Sequence, residues 1–328
     1  MTKKIIIPGT NEEEMANYVA NHYKDIVLRL PNDAWLKYDY DNGRFVMDKL
    51  EVNRLTHIPV GILKKKLKEY QDSVKKGAIP AICDYEGEEH HPDYLKLIYL
   101  QLSKAAQMGK ILYPLGFFYP EMTVDPNTLD KDDHLLNCKN GVIDLRNGKI
   151  LPHSPEYRMT KTTGIEYLPG SQAGKFQKAL SQISCGDEAW EEYIQVFFGY
   201  CITGHVDEQV AAFLIGVGAN GKSLLIKIIS RVIAEYAKTT PYRTFLASNN
   251  GQTGNDIARL QGCRFVTVVE TNKSDKLNEA VFKEITGGDV QCARYLYQEF
   301  FEFNPKAKLV LAVNHMPRVS TGNDSVQR

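Results

Sequence analysis

Eight consecutive residues, Gly216-Val217-Gly218-Ala219-Asn220-Gly221-Lys222-Ser223, follow the order G-x-x-x-x-G-K-[ST] at every fixed position. Glycines let the main chain curl until successive N–H groups converge on anionic oxygens. A helix that starts at the end of such a loop aims its positive dipole end at the same oxygens. In this reading Gly216, Gly218, Ala219, Asn220 and Gly221 form the cradle for the phosphates of a nucleoside triphosphate, and the loop alone does not say which class of NTPase it serves. Lys222 neutralises the β- and γ-phosphates, and the Ser223 hydroxyl takes one position on Mg²⁺.

Two further polar residues end apolar runs downstream. Val266-Thr267-Val268-Val269 leads into Glu270, a carboxylate placed to hold Mg²⁺ through water or to polarise the attacking water. Leu309-Val310-Leu311-Ala312-Val313 leads into Asn314, whose amide is suited to orienting the lytic water beside the γ-phosphate. With a single acid at the end of its strand, metal binding and water activation both fall on Glu270.

These groups need elements to hold them. Val210-Ala211-Ala212-Phe213-Leu214-Ile215 is wholly apolar, as are residues 265–269 apart from one threonine and residues 309–313. Such runs fit strands buried on both faces of a parallel sheet. Residues 223–236 read as the amphipathic helix after the loop, and the alternation of strands with helices implies an α/β domain. Upstream, helices are predicted over residues 12–28, 61–76 and 94–108, and a helical segment over 175–203 with a break at Gly186-Asp187. Hairpins are predicted about Asp41-Asn42-Gly43 and about Asn147-Gly148. The turn-rich stretch 152–170 marks the domain boundary. The expected organisation is an α+β N-terminal domain over 1–160, a helical linker or oligomerisation segment over 172–206, and the ATPase domain over 207–328.

At 328 residues with 43% hydrophobic and 24% charged residues, the composition is globular. Forty basic residues balance forty acidic ones, so no global positive field advertises nucleic-acid binding. The six cysteines show no C-x-x-C pair and are expected as free thiols of a reducing cytoplasm rather than zinc ligands. His90 and His91, beside Glu88, Glu89 and Asp93, read as a solvated turn rather than a metal site. Asp39, Asp41 and Asp48 read as turn formers rather than paired metal carboxylates. No apolar run reaches membrane-spanning length, and no signal segment opens the chain.

Taken together, residues 216–223, Asp256-Ile257-Ala258-Arg259-Leu260, 266–270, Thr286-Gly287-Gly288-Asp289, 293–297, 299–303 and 308–317 resemble superfamily 3 helicases. More narrowly the set resembles the phage/plasmid primase–helicase family related to poxvirus NTPases. The likeness extends upstream through 136–141, 152–156 and Phe198-Gly199-Tyr200, and more loosely to 35–48. The resemblance implies an AAA+-type P-loop ATPase that assembles as a hexamer and moves 3′ to 5′ on single-stranded DNA. It also implies primase or other replication proteins as partners and, for a phage or plasmid protein, a bacterial host cytoplasm. A channel-lining hairpin is implied over 289–303, with Arg294 on the DNA backbone and Tyr295 and Tyr297 as stacking or packing surfaces. An arginine acting in trans on the γ-phosphate is implied after the third strand. Residues 321–328 match the start of that segment, ending in Arg328, so the domain is expected to be C-terminally incomplete. The alternatives are an ATP-dependent origin-binding or assembly switch that does not unwind, and a primase-associated subunit.

Overall fold

In the computed structural model, residues 4–216, 220–245, 254–269, 277–295 and 300–314 are described. They fall into two units, Met1–Asp39 with Phe45–Leu129, and Tyr40–Arg44 with Asp130–Arg328.

The first unit opens with β1 (Lys4–Ile6) and α1 (Glu12–Tyr23), the helix capped by the Asn11 side chain on Glu14 N. The helix predicted to run to residue 28 stops at Tyr23. The apolar run beyond it forms β2 (Val27–Arg29), antiparallel to β3 (Trp35–Asp39), with β4 (Arg44–Met47) beyond. Here the β-preference of Ile26 and Val27 and a cross-strand partner outweigh continued helical spacing. The next helix, α2 (Lys49–Lys75), starts twelve residues before the expected Gly61 and contains Pro59. Its buried Val52, Thr56, Pro59, Leu63 and Leu67 recur at three- and four-residue steps, so one face drives the whole length inward. Asp48 is its cap, accepting from Glu51 N at 2.8 Å, which gives that carboxylate a structural role. β5 (Ala81–Cys83) pairs parallel with β1, and α3 (Pro92–Gln107) and α4 (Leu112–Phe118) complete the unit. Met15, Val19, Leu63, Leu95, Leu102 and Leu115 form part of its core.

The second unit begins with an antiparallel meander, β6 (Leu135–Cys138), β7 (Gly141–Asp144) and β8 (Lys149–Leu151). Two helices follow, α5 (Gly174–Ser184) and α6 (Glu188–Cys201), broken where expected at Gly186 and Asp187. Then come β9 (Ala211–Ile215), α7 (Lys222–Ile233), β10 (Ala237–Pro241), α8 (Gly254–Ala258), β11 (Phe265–Val269) and α9 (Glu279–Gly287). A hairpin of β12 (Gln291–Ala293) and β13 (Phe301–Phe303) precedes β14 (Lys308–Val313).

Four of these strands form a wholly parallel sheet in the order β10-β11-β14-β9. Along β14 the side chains alternate. Leu309, Leu311 and Val313 meet Phe282, Ile285 and Phe303 on one face, while Val310 meets Leu225, Ile226 and Phe198 on the other. That two-sided burial is why the central strands β11 and β14 read as unbroken apolar runs. Leu136, Cys138 and Ile143 of the meander belong to the second of those cores. The units therefore part at Leu129–Asp130 rather than in the 152–170 stretch. Among the described residues no helix is long and apolar enough to cross a membrane.

Two buried cations sit at the amino ends of the central strands. Arg264, 2% exposed, donates from Nη1 to Ile202 O at 2.7 Å and from Nη2 to Leu135 O at 2.6 Å, with its guanidinium over the Tyr236 ring. Lys308, 1% exposed, donates to Thr203 O, and to His205 O and Lys306 O at 3.1 Å each, above the Tyr200 ring. Ile202 and Thr203 directly follow α6, where carbonyls lack helical partners and carry the negative end of the helix dipole. Lys306 joins them from outside the strand, pairing with Asp133 and donating to Asp130 O at 2.8 Å.

Burial pushes Lys308 down to about 7 from its ordinary 10.5. Between those values the unfolded chain binds the extra proton, so this residue makes the fold more stable as pH rises above 7, by at most about 1.4 kcal/mol per pH unit. Urea denaturation at pH 7, 7.5 and 8 is expected to show a shallower rise for Lys308→Met than for the native protein.

Candidate functional site

The chemistry-bearing residues gather at the carboxyl edge of the parallel sheet. β9 ends at Ile215 and α7 begins at Lys222; Gly218 and Ala219 lie outside the described residues. Gly221 is the N-cap of α7 at φ +86°, and a Cβ on it would come 2.5 Å from the Ile183 side chain. A Cβ on Gly216 would lie 2.0 Å from Asn220 Nδ2. Gly221 thus requires glycine for its dihedral, whereas at Gly216 the crowding atom is the movable end of the Asn220 side chain.

Asn and Asp side chains cap α1, α2, α6 and α9. α7 has no side-chain cap and no acid in its first turn. The positive end of its dipole favours an anion at this start. Lys222 Nζ donates to Gly216 O and, at 2.9 Å, to Asn220 Oδ1, so the ammonium lies across the base of the loop. Ser223 is exposed in the same turn. A glycine at positive φ, a helix start without a side-chain cap, an ammonium and a hydroxyl are groups that could hold a magnesium-bound polyphosphate.

Sheet register brings the third strand to this loop. Val313 pairs with Ile215, and Gly216 N donates to Val313 O at 3.4 Å. Asn314, the next residue, is exposed and adjoins the loop's first glycine. In β11, Val269 pairs with Ala312, so that strand ends at the same edge; Glu270 lies outside the described residues.

A polar cluster beyond β10 was not singled out by residue spacing. Thr240 and Thr244 share a hydrogen bond at 3.3 Å, Thr244 Oγ1 donates to Asp256 Oδ2 at 3.3 Å, and Arg243 Nε lies 3.9 Å from the same carboxylate oxygen. Asp256 thereby ties α8 to the end of β10. The only earlier sign of it was its place in the motif at 256–260.

The β12–β13 pair is the hairpin expected over 289–303, and its residues 296–299, including Tyr297, lie outside the described set. Arg294 is exposed, its guanidinium 4.7 Å above the Phe300 ring. Of the two roles expected for Tyr295, stacking or packing, its contacts here are those of a packing residue. Its ring stacks on Phe301 at 5.5 Å and its hydroxyl donates to Ala258 O at 3.0 Å. Burial pushes its phenol up. Arg328 lies outside the described residues.

Away from this edge, His90 is not solvated. Its Nε2 lies 2.8 Å from Asp84 Oδ2, and both side chains are largely covered. Glu88 sits beside them with its backbone N–H on Asp84 Oδ1. All six cysteines are free thiols, and burial pushes Cys201 up to about 12.

A family model described as D5 N terminal like matches residues 16–199, more than half of the chain. The chain belongs to the D5 N terminal like family. In this family member the matched segment ends within α6, and a second model, described as a family of unknown function, matches residues 214–328. A protein of Acanthamoeba polyphaga mimivirus named "Putative helicase" is 28% identical over 216 residues, covering 63% of this chain and 22% of its own. An African swine fever virus protein named "Putative primase" is 29% identical over 202 residues, covering 57% of this chain and 20% of its own. This D5 N terminal like chain therefore spans about a fifth of the length of the curated relatives it matches. The apo structure of the NrS-1 C-terminal region aligns over 49% of this chain and 38% of that one, at 12% identity and a TM-score of 0.40.

The Tyr295 assignment has a direct check. Tyr295→Phe keeps the ring contact with Phe301 and removes the bond to Ala258 O, which should lower stability by about 1 kcal/mol in urea denaturation.

Proposed function

We propose that this D5 N terminal like family member is the ATP-hydrolysing motor portion of a superfamily 3 replicative DNA helicase of a virus, phage or plasmid, moving 3′ to 5′ on single-stranded DNA. The observation that carries the reading is the meeting, at one sheet edge, of Lys222 on an uncapped helix start with Asn314, set beside Gly216 by the β9–β14 register. The relatives named as helicase and primase support it from outside the site.

In this reading Gly216, Gly218, Ala219, Asn220 and Gly221 wrap the phosphates, and Lys222 holds the β- and γ-phosphate oxygens. Ser223 and Glu270 would hold Mg²⁺, which would supply charge neutralisation on the phosphates. Glu270 takes up a proton from the attacking water, and Asn314 orients that water. Arg294 tracks the DNA backbone beside Tyr297, and Arg328 acts on a neighbouring subunit's γ-phosphate within a hexamer. A primase activity in the same replication machinery is the expected partner.

Phosphate release by the full chain, with and without oligothymidylate, tests the reading. Hydrolysis should need Mg²⁺ and rise with single-stranded DNA. Lys222→Ala should reduce it at least about 100-fold, the scale of losing one charge-stabilising group, with unchanged thermal melting. Hydrolysis retained in that variant overturns the reading. Hydrolysis indifferent to DNA points instead to the assembly switch.

A further inference from the structure

The first unit carries an open groove of about 810 Å³ that the ATP site does not use. Its walls come from β2, the start of α2 and the α3–α4 connection, with Trp35 at its lining. Along one wall Tyr113 and Phe117, four residues apart on α4, stack on each other with centroids 5.9 Å apart and planes at 12°. They are 74% and 63% exposed, and Phe118 stands edge-on beside them. Large aromatic rings held outward on a short helix contribute nothing to the core beneath and leave their π faces to a ligand.

Cations accompany the rings. Arg29 lines the groove, its side chain packed beneath Gly116 of α4 and its guanidinium fixed by Gly116 O, Thr123 Oγ1 and the Asp33 carboxylate. Lys49 lines it at the start of α2, and Lys110, next to the lining residue Gly109, is exposed at its border. Asn53 lies on the groove wall, and its buried Oδ1 finds no donor among the described residues. Asp33 is the acid among the lining residues, and it is engaged with Arg29.

Exposed stacked rings with flanking ammonium groups and an amide make a surface suited to unpaired bases on an anionic backbone. We propose that this groove is a second contact for single-stranded nucleic acid, in which bases stack on Tyr113 and Phe117 while Lys49 and Lys110 meet phosphates. The inference rests on the proposed function for its substrate class and gives the N-terminal unit a task of its own: holding the strand that the ATP-driven unit moves. A purely apolar protein partner would use the rings and the neighbouring Leu50 and Met108 but would leave the cations unmatched.

Fluorescence anisotropy of a labelled oligothymidylate with the full chain decides it. Tyr113→Leu/Phe117→Leu keeps apolar bulk and helix propensity but removes the π faces, and should weaken binding about tenfold or more, since stacking on each ring is worth about 1–3 kcal/mol. ATP hydrolysis without DNA and thermal melting should stay as in the native protein. Lys49→Ala/Lys110→Ala should weaken binding and flatten its salt dependence, with the rings untouched. Unchanged binding in the leucine variant, with native binding intact, overturns the groove while leaving the motor reading standing. No binding by the native protein overturns both. A leucine variant that binds DNA normally but changes mass in light scattering makes the surface a protein contact and also overturns the proposal.

Discussion

Everything at the carboxyl edge of the parallel sheet depends on how the opposite edge is pinned. Arg264 and Lys308 are buried at the amino ends of adjacent strands, and their hydrogen bonds go to main-chain carbonyls rather than carboxylates. Burying a charge is costly unless it is well bonded. Here carbonyls freed at the end of α6, one from β6 and the faces of Tyr200 and Tyr236 offset part of that cost. The two cations therefore join helix, meander and sheet at fixed points along β11 and β14. Strands anchored at one end in a fixed register end at fixed places at the other. That is how Asn314 comes to adjoin Gly216, through the pairing of Val313 with Ile215.

The two ends of the sheet consequently have opposite characters. The amino end is closed and desolvated, with its polar groups bonded to each other. The carboxyl end carries loops, an uncapped helix and exposed polar side chains. Ligands of open α/β sheets bind outside the carboxyl ends of the strands, and the division of labour here follows from chemistry that can be named residue by residue. Ile183 of α5 packs against the position where Gly221 lacks a Cβ, so the phosphate loop also rests on the helical segment that precedes it.

Much of this was legible in the sequence. The apolar runs at 210–215, 265–269 and 309–313 became β9, β11 and β14; in β11 and β14 burial on both faces leaves no room for polar alternation, while β9, at a margin of the sheet, is half-buried. The glycine loop announced itself through residues with no other reason to occur together. β10 was not legible: Ala237-Lys238-Thr239-Thr240-Pro241 is short and polar, and only its register with β11 makes it a strand. The start of α2 was hidden by Pro59, which reads as a breaker but is tolerated in a helix anchored by packing over 27 residues. Tyr295 could not be resolved by spacing, since a core ring and a stacking ring look alike until the hydroxyl is found on Ala258 O. Placing Asn314 against Gly216 needed the pairing of strands a hundred residues apart, which no local pattern encodes.

The polarity that disguised β10 also matters for how the molecule behaves among its own copies. It is one margin of the parallel sheet, where main-chain groups on its outer side meet no strand among the described residues. Lys238 and Thr239 are exposed there, and Pro241 ends it with a residue that has no N–H to offer. A charged, short, proline-ended margin is a poor template for another chain to extend. The five residues least recognisable as a strand thus act as a guard against edge-to-edge aggregation.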